Sequence, residues 1–399
     1  MSERLSPDPF FKDQMNQAAN SFKKMFSISS AMTAVVNQLQ KMPEEVYKID
    51  TAMTNLCRVT NETDAAYQKF LSSAGDNARE LGRSISSIVD QTARWAKLGY
   101  NLNDASKLAE TSSIYSNISK ADDETAVNHI AMAMKNFNIT AMDSIRVVDS
   151  LNRLGSEFSA SSAELGDGLS ISASALSGAG NDINETLAML AGLSEITQDS
   201  REAGNALKVL SLRIRGYDEG TGTYSNNIKE LSREIASLTK TESTPGGISL
   251  FTDRTEQTYK STYALLKDIS EIYDELNGKS QAELVETLGG SQRGESVAEL
   301  LRAFQSGQVG KAYDISFNSS GSAYEAQVRW LDSLQGKLQQ LEATFQSLSN
   351  TVLDSDLLKG IVDFGTGTIN ILDTIIDQIG VLIPLLGGAG IAAFVKNFD

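Results

Sequence analysis

An all-α fold is predicted by three features of the sequence. Apolar residues recur at steps of three and four along most of the chain. Three segments carry the reciprocal pattern that starts a helix. Only 5 prolines interrupt 399 residues, so long helices are permitted. The expected architecture is an elongated helical protein, with a compact core of small helices and long coiled-coil-like helices. Hydrophobic residues make up 41% of the chain, enough to fill packed cores.

Residues 1–100 read as N-terminal long helices. Phe22, Met25, Phe26 and Ser29 share one face, followed by Met32, Val35, Val36 and Leu39. Pro43-Glu44-Glu45 suits a helix start, with proline in the first turn and acids at the positive end of the dipole. Val46, Ile49, Met53, Leu56 and Thr60 continue the spacing.

Residues 101–216 are expected to form the compact core. Ser161 with Glu164, Asp182 with Glu185 and Asp199 with Glu202 each place a short polar residue three before a glutamate. The first side chain accepts from an orphan amide, and the glutamate reaches back. The three helices they start carry the stripes Leu165, Leu169, Ser172, Leu176, then Ile183, Leu187, Leu190, Ser194, then Ala203, Leu207, Leu210, Ile214. Leu165, Leu169, Leu176, Leu187, Leu190, Leu207, Leu210 and Ile214 are the expected core-packing residues. The first helix is rich in small side chains (Ala163, Gly166, Gly168, Ser170, Ser172, Ala173, Ser174, Ala175), which permit close approach of helix axes in a bundle.

Residues 217–320 read as a variable or inserted helical region with flexible loops. Gly216, Gly220, Gly222, Pro245, Gly246 and Gly247 punctuate its start. Helices are expected at 228–238, 256–276, 280–288 and 294–306. Residues 321–380 then carry a heptad: Tyr324, Leu331, Leu338, Phe345 and Val352 are seven apart, with Leu334, Leu341 and Leu348 in a second register offset by three. This predicts a coiled-coil seam of Leu331, Leu334, Leu338, Leu341, Phe345, Leu348 and Val352, or a long helix folded back on its own domain.

Residues 381–399 form a glycine-rich apolar end. From Ile379 to Val395 there are 17 residues without a charge, at the lower limit of the about 17–25 that span a bilayer. Pro384 and Gly387-Gly388 weaken a straight helix there. Val381, Leu382, Ile383, Leu385, Leu386, Ile391 and Phe394 are the expected membrane-interacting residues.

Charge limits the partners. The net charge is -16, and residues 141–200 hold 9 acidic and 2 basic side chains. Sequence-specific nucleic-acid binding is not expected of such a chain, because binding needs cations to displace counterions. An acidic surface can line a conduit for nucleic acid without adhering to it. Met1–Pro9 is polar and does not read as a signal peptide.

No arrangement of residues in the sequence marks out a catalytic site. Cys57 and His129 are the single cysteine and histidine, which excludes an intrachain disulfide and the usual Cys/His zinc site. Cys57 is expected to be a buried, inert thiol. Asn277-Gly278-Lys279-Ser280 resembles the end of a phosphate loop, but Tyr273 stands where a glycine is needed. Gly168-Leu169-Ser170 lacks the closing glycine of a nucleophile elbow. No enzyme activity, no cofactor and no metal are expected.

Several segments together resemble a known family. They are Lys107-Leu-Ala-Glu, Ile114-Tyr-Ser-Asn, Met134-Lys-Asn-Phe-Asn-Ile, Val148-Asp-Ser-Leu-Asn-Arg-Leu-Gly, Ser172-Ala-Ser-Ala-Leu-Ser-Gly-Ala-Gly-Asn-Asp, Gly204-Asn-Ala-Leu-Lys-Val-Leu-Ser-Leu-Arg-Ile-Arg-Gly and Gly390-Ile-Ala-Ala-Phe-Val-Lys-Asn-Phe. In this order they resemble the core of long-tailed bacteriophage tail tape-measure proteins. The resemblance implies a helical protein present in several copies inside the tail tube, setting tail length and scaffolding tube assembly. Implied partners are other copies of itself, the tail-tube protein, tail assembly chaperones, tail-tip proteins and the host membrane. Implied locations are the tube lumen and, during assembly, the host cytoplasm. The protein would leave the tube ahead of the DNA, with its apolar segment entering the membrane. Family members continue beyond such an apolar end, so the chain is expected to be the N-terminal part of a longer protein or a truncated product. A helical interaction protein or pore-forming toxin with a membrane-inserting C-terminal segment is the alternative that shares the apolar end.

Overall fold

A computed structural model describes residues 47–346, except 219–221, 225–227, 253, 254, 256, 334, 338, 341, 344 and 345. The fold is all-α. Within the described residues the chain divides into two compact units, 47–102 with 331–346, and 103–330.

The first unit opens with α1 (47–59), α2 (Asp64–Leu81) and α3 (Ile85–Lys97). The expected helical face from Phe22 to Leu39 lies outside the described residues, and between 47 and 97 the helices are separated by local chemistry. Thr63 caps α2 by accepting from the Ala66 N–H, Gly82 ends it in the left-handed region at φ 64°, and Ser84 caps α3. The stripe of α1 buries Ile49, Ala52 and Leu56. Cys57 lies off that face and is exposed, which corrects the expected buried thiol. One residue beyond Leu56, the helix has turned about 100° away from the buried face. α3 packs on α2 and buries Ile85, Ile88, Val89 and Trp95. The first-turn N–H of Ile85 donates to Gln346 Oε1 at 3.0 Å, across 261 residues.

The second unit contains α4 (Leu102–Ser119), α5 (Asp123–Phe137), α6 (Ile145–Glu157), α7 (Ser162–Gly178), α8 (Ile183–Thr197) and α9 (Ser200–Ile214). A two-stranded antiparallel hairpin follows, β1 (Tyr217–Asp218) and β2 (Thr223–Tyr224), with Tyr217 opposite Tyr224. Then come α10 (Ile228–Leu238), α11 (Thr262–Ile272), α12 (Gly278–Gln305), α13 (Gln308–Phe317) and α14 (Ser322–Leu331). α7 lies at the centre and packs against α5, α6, α8 and α9, while α8 carries α12 and α13 on its other side.

Two helix boundaries differ from the sequence-based expectation. The helix expected from 256 starts only at Thr262, because Phe251 and Tyr259 form a bridge and Ser261 caps the helix. The helices expected at 280–288 and 294–306 are the two arms of α12, separated by Gly290 at φ 69°, ψ -176°. Only glycine takes that conformation without strain.

The end of the second unit bears on the heptad. α14 stops at Leu331, and residues 332 and 333 form a turn and a bend. Ser322, Ala323 and Gln327 face inward, whereas Tyr324 and Val328 are 49% and 59% exposed. The seam residues Leu334, Leu338, Leu341, Phe345, Leu348 and Val352 lie outside the described residues, and Leu331 is half-buried. The apolar end with Val381, Leu382, Ile383, Leu385, Leu386, Ile391 and Phe394 also lies outside them. Among the described residues no helix is long and apolar enough to cross a membrane.

Candidate functional site: a glycine-packed core with a buried polar network

The centre of the second unit is built from α7, α8 and α9. Ser161 and Asp182 each form a complete capping box, with Glu164 and Glu185 returning bonds to their backbone N–H groups at 2.8 and 3.1 Å. Hydrogen bonds from Ser161 hold the Glu164 carboxyl below its ordinary range. Burial pushes Glu185 up instead, against the backbone bond at Asp182 that lowers it. The third start differs. Asp199 accepts from the Arg201 and Glu202 N–H groups, but its own N–H turns to the Thr197 hydroxyl at 3.4 Å. That neighbouring hydroxyl substitutes for the glutamate.

These starts aim the leucine stripes at one another. Leu165, Leu169, Leu176, Leu187, Leu190, Leu207, Leu210 and Ile214 are all buried, none more than 2% exposed. Backbone contact is closest between α7 and α9. A Cβ placed on Gly204 would lie 2.5 Å from the Gly168 carbonyl oxygen, and one on Gly168 would run into the Ser200 carbonyl oxygen. Gly192 makes room for Val309 of α13, and Gly155 of α6 for the Ser162 backbone. Small residues thus bring helix axes together, and dispersion between close-packed surfaces holds them there.

Polar side chains fasten the loops to this core. Arg215 donates to the carbonyls of Ala179 and Lys260 at 2.6 and 3.0 Å and stacks over Tyr259 at 4.2 Å. Arg213 donates to Thr287 O beside the Gly290 break. Asn181 accepts from the first-turn N–H of Tyr263 in α11 at 2.9 Å. Asp149, 3% exposed, accepts from the N–H groups of Ala323 and Gly321 at 2.7 and 3.1 Å. A carboxylate on α6 therefore caps α14, a favourable place for negative charge at a helix N-terminus. Asn152 donates to Ser322 O, and Asn117 to Gln327 Oε1, on the same segment.

A second network lies between α4, α5, α7 and α9. The Tyr115 hydroxyl is 2.9 Å from Ser162 O and 3.1 Å from His129 Nδ1, and His129 Nε2 is 2.9 Å from Asp167 Oδ1. Arg201 reaches Asp167 Oδ2 at 3.5 Å. Gly166 leaves space for the two rings, since a Cβ there would meet Tyr115 Oη at 2.6 Å. Burial lowers the His129 pKa below its ordinary value, opposed by Asp167 and Asp122, and burial raises that of Tyr115. Among the described residues no group of three His, Cys, Asp or Glu side chains is placed to hold a metal.

Sequence reasoning missed these polar residues. Asp149 is the one with a usable signal: an acid set within the apolar stripe Val147, Val148, Leu151 and Leu154. Arg213 and Arg215 look like ordinary cations of a helix end, and their carbonyl partners are 36–74 residues away.

Capped short helices, glycine contacts and side chains that pin loops define a packing module, the core of a helical structural protein. A family model described as phage-related minor tail protein matches residues 75–290, more than half of the chain, and the chain belongs to this family. It is a phage tail protein with a structural role in the virion tail. No solved structure matches it.

Proposed function

We propose that this protein is the tape measure of its tail. In this reading several copies lie within the tube lumen, set its length and scaffold its polymerisation with the tail-tube protein, the assembly chaperones and the tail-tip proteins. It leaves ahead of the DNA, and its apolar end enters the host membrane. It acts without catalysis. Residues 1–100 supply N-terminal helices, 101–216 the core, 217–320 an inserted region, 321–380 the heptad segment and 381–399 the membrane-interacting end.

The observation that carries the reading is how the family-like segments are used. Gly204–Gly216, one of the segments that most resemble tape-measure proteins, packs on Ser172–Asp182, another of the resembling segments. The Ser211 hydroxyl donates to Ala175 O at 3.2 Å, and Arg215 to Ala179 O at 2.6 Å. Their polar groups are engaged in building a scaffold. The net charge of -16 suits a protein that shares a tube with DNA and releases it.

The test is tail length. In a phage carrying the complete gene, an in-frame deletion of about 28 residues in the helical region beyond the core should shorten the tail by about 42 Å, at about 1.5 Å per helical residue. Viable particles with tails of unaltered length would overturn the ruler role.

A further inference from the structure

The network around His129 has more acceptors than protons. Ser162 O and the Asp167 carboxylate can only accept. The three contacts, Tyr115 Oη to Ser162 O at 2.9 Å, Tyr115 Oη to His129 Nδ1 at 3.1 Å and His129 Nε2 to Asp167 Oδ1 at 2.9 Å, each need one hydrogen. Tyrosine supplies one and neutral imidazole another. The third exists only when the imidazole carries both its protons.

We propose that Tyr115, His129 and Asp167 form a one-proton switch inside the core of the second unit. At neutral pH the imidazole carries its hydrogen on Nε2, bonded to Asp167. Nδ1 and Ser162 O then compete for the single Tyr115 hydrogen. Taking up one proton from solvent at Nδ1 turns that nitrogen into a donor to Tyr115 Oη, and the tyrosine hydrogen passes wholly to Ser162 O. No other bond is made or broken. The opposite neutral tautomer would set an unprotonated Nε2 against a carboxylate at 2.9 Å, two acceptors face to face.

Groups from four helices surround the imidazole. Tyr115 comes from α4, Asp122 caps its own helix α5, Asp167 and the Ser162 carbonyl belong to α7, and Arg201 of α9 acts through Asp167. The switch thus joins four helices at one ring that is 3% exposed. The carboxylates favour the added charge and burial opposes it, with burial the larger effect. Acid therefore weakens the unit. The unfolded chain binds the proton near the ordinary value of 6.5, the folded chain only at lower pH, so stability falls as pH drops through that window. This inference does not depend on the tape-measure reading.

Because His129 is the only histidine, its ring signals in the full chain are unambiguous. Imidazole 15N spectra should show the Nε2–H tautomer at neutral pH and a single-proton transition with a midpoint below 6.5. Asp167→Asn should move the midpoint further down by removing the anion, and Tyr115→Phe likewise by removing the acceptor at Nδ1. His129→Gln should abolish the fall in thermal stability between pH 6.5 and that midpoint. An Nδ1–H tautomer at neutral pH, or a midpoint unmoved by both Asp167→Asn and Tyr115→Phe, would overturn the switch. The wild-type ring spectrum decides the tautomer even if a variant fails to fold.

Discussion

Gly204 of α9 faces Gly168 of α7 so closely that a single methyl group on Gly204 would lie 2.5 Å from the Gly168 carbonyl oxygen. The obstacle is backbone on a packed helix, which cannot swing aside as a side chain can. Gly204→Ala should therefore destabilise the protein by about 1–3 kcal/mol through overpacking, although alanine is the better helix former. Gly178→Ala, where nothing lies within 4 Å, is the control and should not lower stability. Denaturant midpoints of the two variants measure the difference.

Leu187 and Leu207 are completely buried on α8 and α9. Truncation to alanine leaves a cavity in a close-packed core and costs about 2–5 kcal/mol. Thermal unfolding should show a clear downward shift for each variant. An unchanged melting temperature would remove these leucines from the core-packing set.

Asp149 fastens α14 from the side of α6. Asp149→Ala removes the acceptor for two backbone N–H groups, at roughly 1–3 kcal/mol for each one left unsatisfied. α14 buries little apolar surface, since Tyr324 and Val328 point outward. The loss should appear locally, as faster amide hydrogen exchange over 319–331 with little change over α7–α9. Uniform acceleration across the unit would show that Asp149 supports the whole core instead.

The capping box at Ser161 carries a pH dependence of definite sign. Its hydrogen bonds depress the Glu164 pKa in the folded state. The stabilisation is therefore present above the unfolded carboxyl value of 4.5 and is lost as pH falls through the lower folded value. Ser161→Ala should reduce stability at pH 7 and flatten that acid dependence. Melting curves of the two proteins that stay parallel below pH 4.5 would remove the capping box as its source.

The heptad of Leu331, Leu334, Leu338, Leu341, Phe345, Leu348 and Val352 is proposed as a seam between copies. Placing aspartate at both Leu338 and Leu341 puts charge into an apolar seam, and burying it there is costly. Light scattering should report a smaller assembly for the double variant. An unchanged oligomeric state assigns the helix to its own subunit.

Much of the fold is legible in the sequence because helices are written locally. Ser161 with Glu164 and Asp182 with Glu185 start helices through contacts three residues apart, and the leucine stripes define a buried face within each helix. Thr197 shows the limit of that reading: it takes the Asp199 N–H that the local pattern assigns to Glu202. Cys57 shows another, since one residue of rotation beyond Leu56 separates a buried thiol from an exposed one.

The sequence by itself determined an acidic, all-α protein with short capped helices, leucine-rich inner faces and a central helix made thin by small side chains. Each of these follows from spacing and chemistry within about one or two turns. Only the tertiary structure decided which partner each polar group would meet. Asp149 meets the start of α14 across more than 170 residues, Tyr115 meets Ser162 across 47, and Arg215 meets Lys260 across 45. A buried donor or acceptor must be satisfied, so the sequence can signal that a partner exists. Its identity depends on which distant backbone the fold brings within hydrogen-bond reach, and helix periodicity carries no information about that.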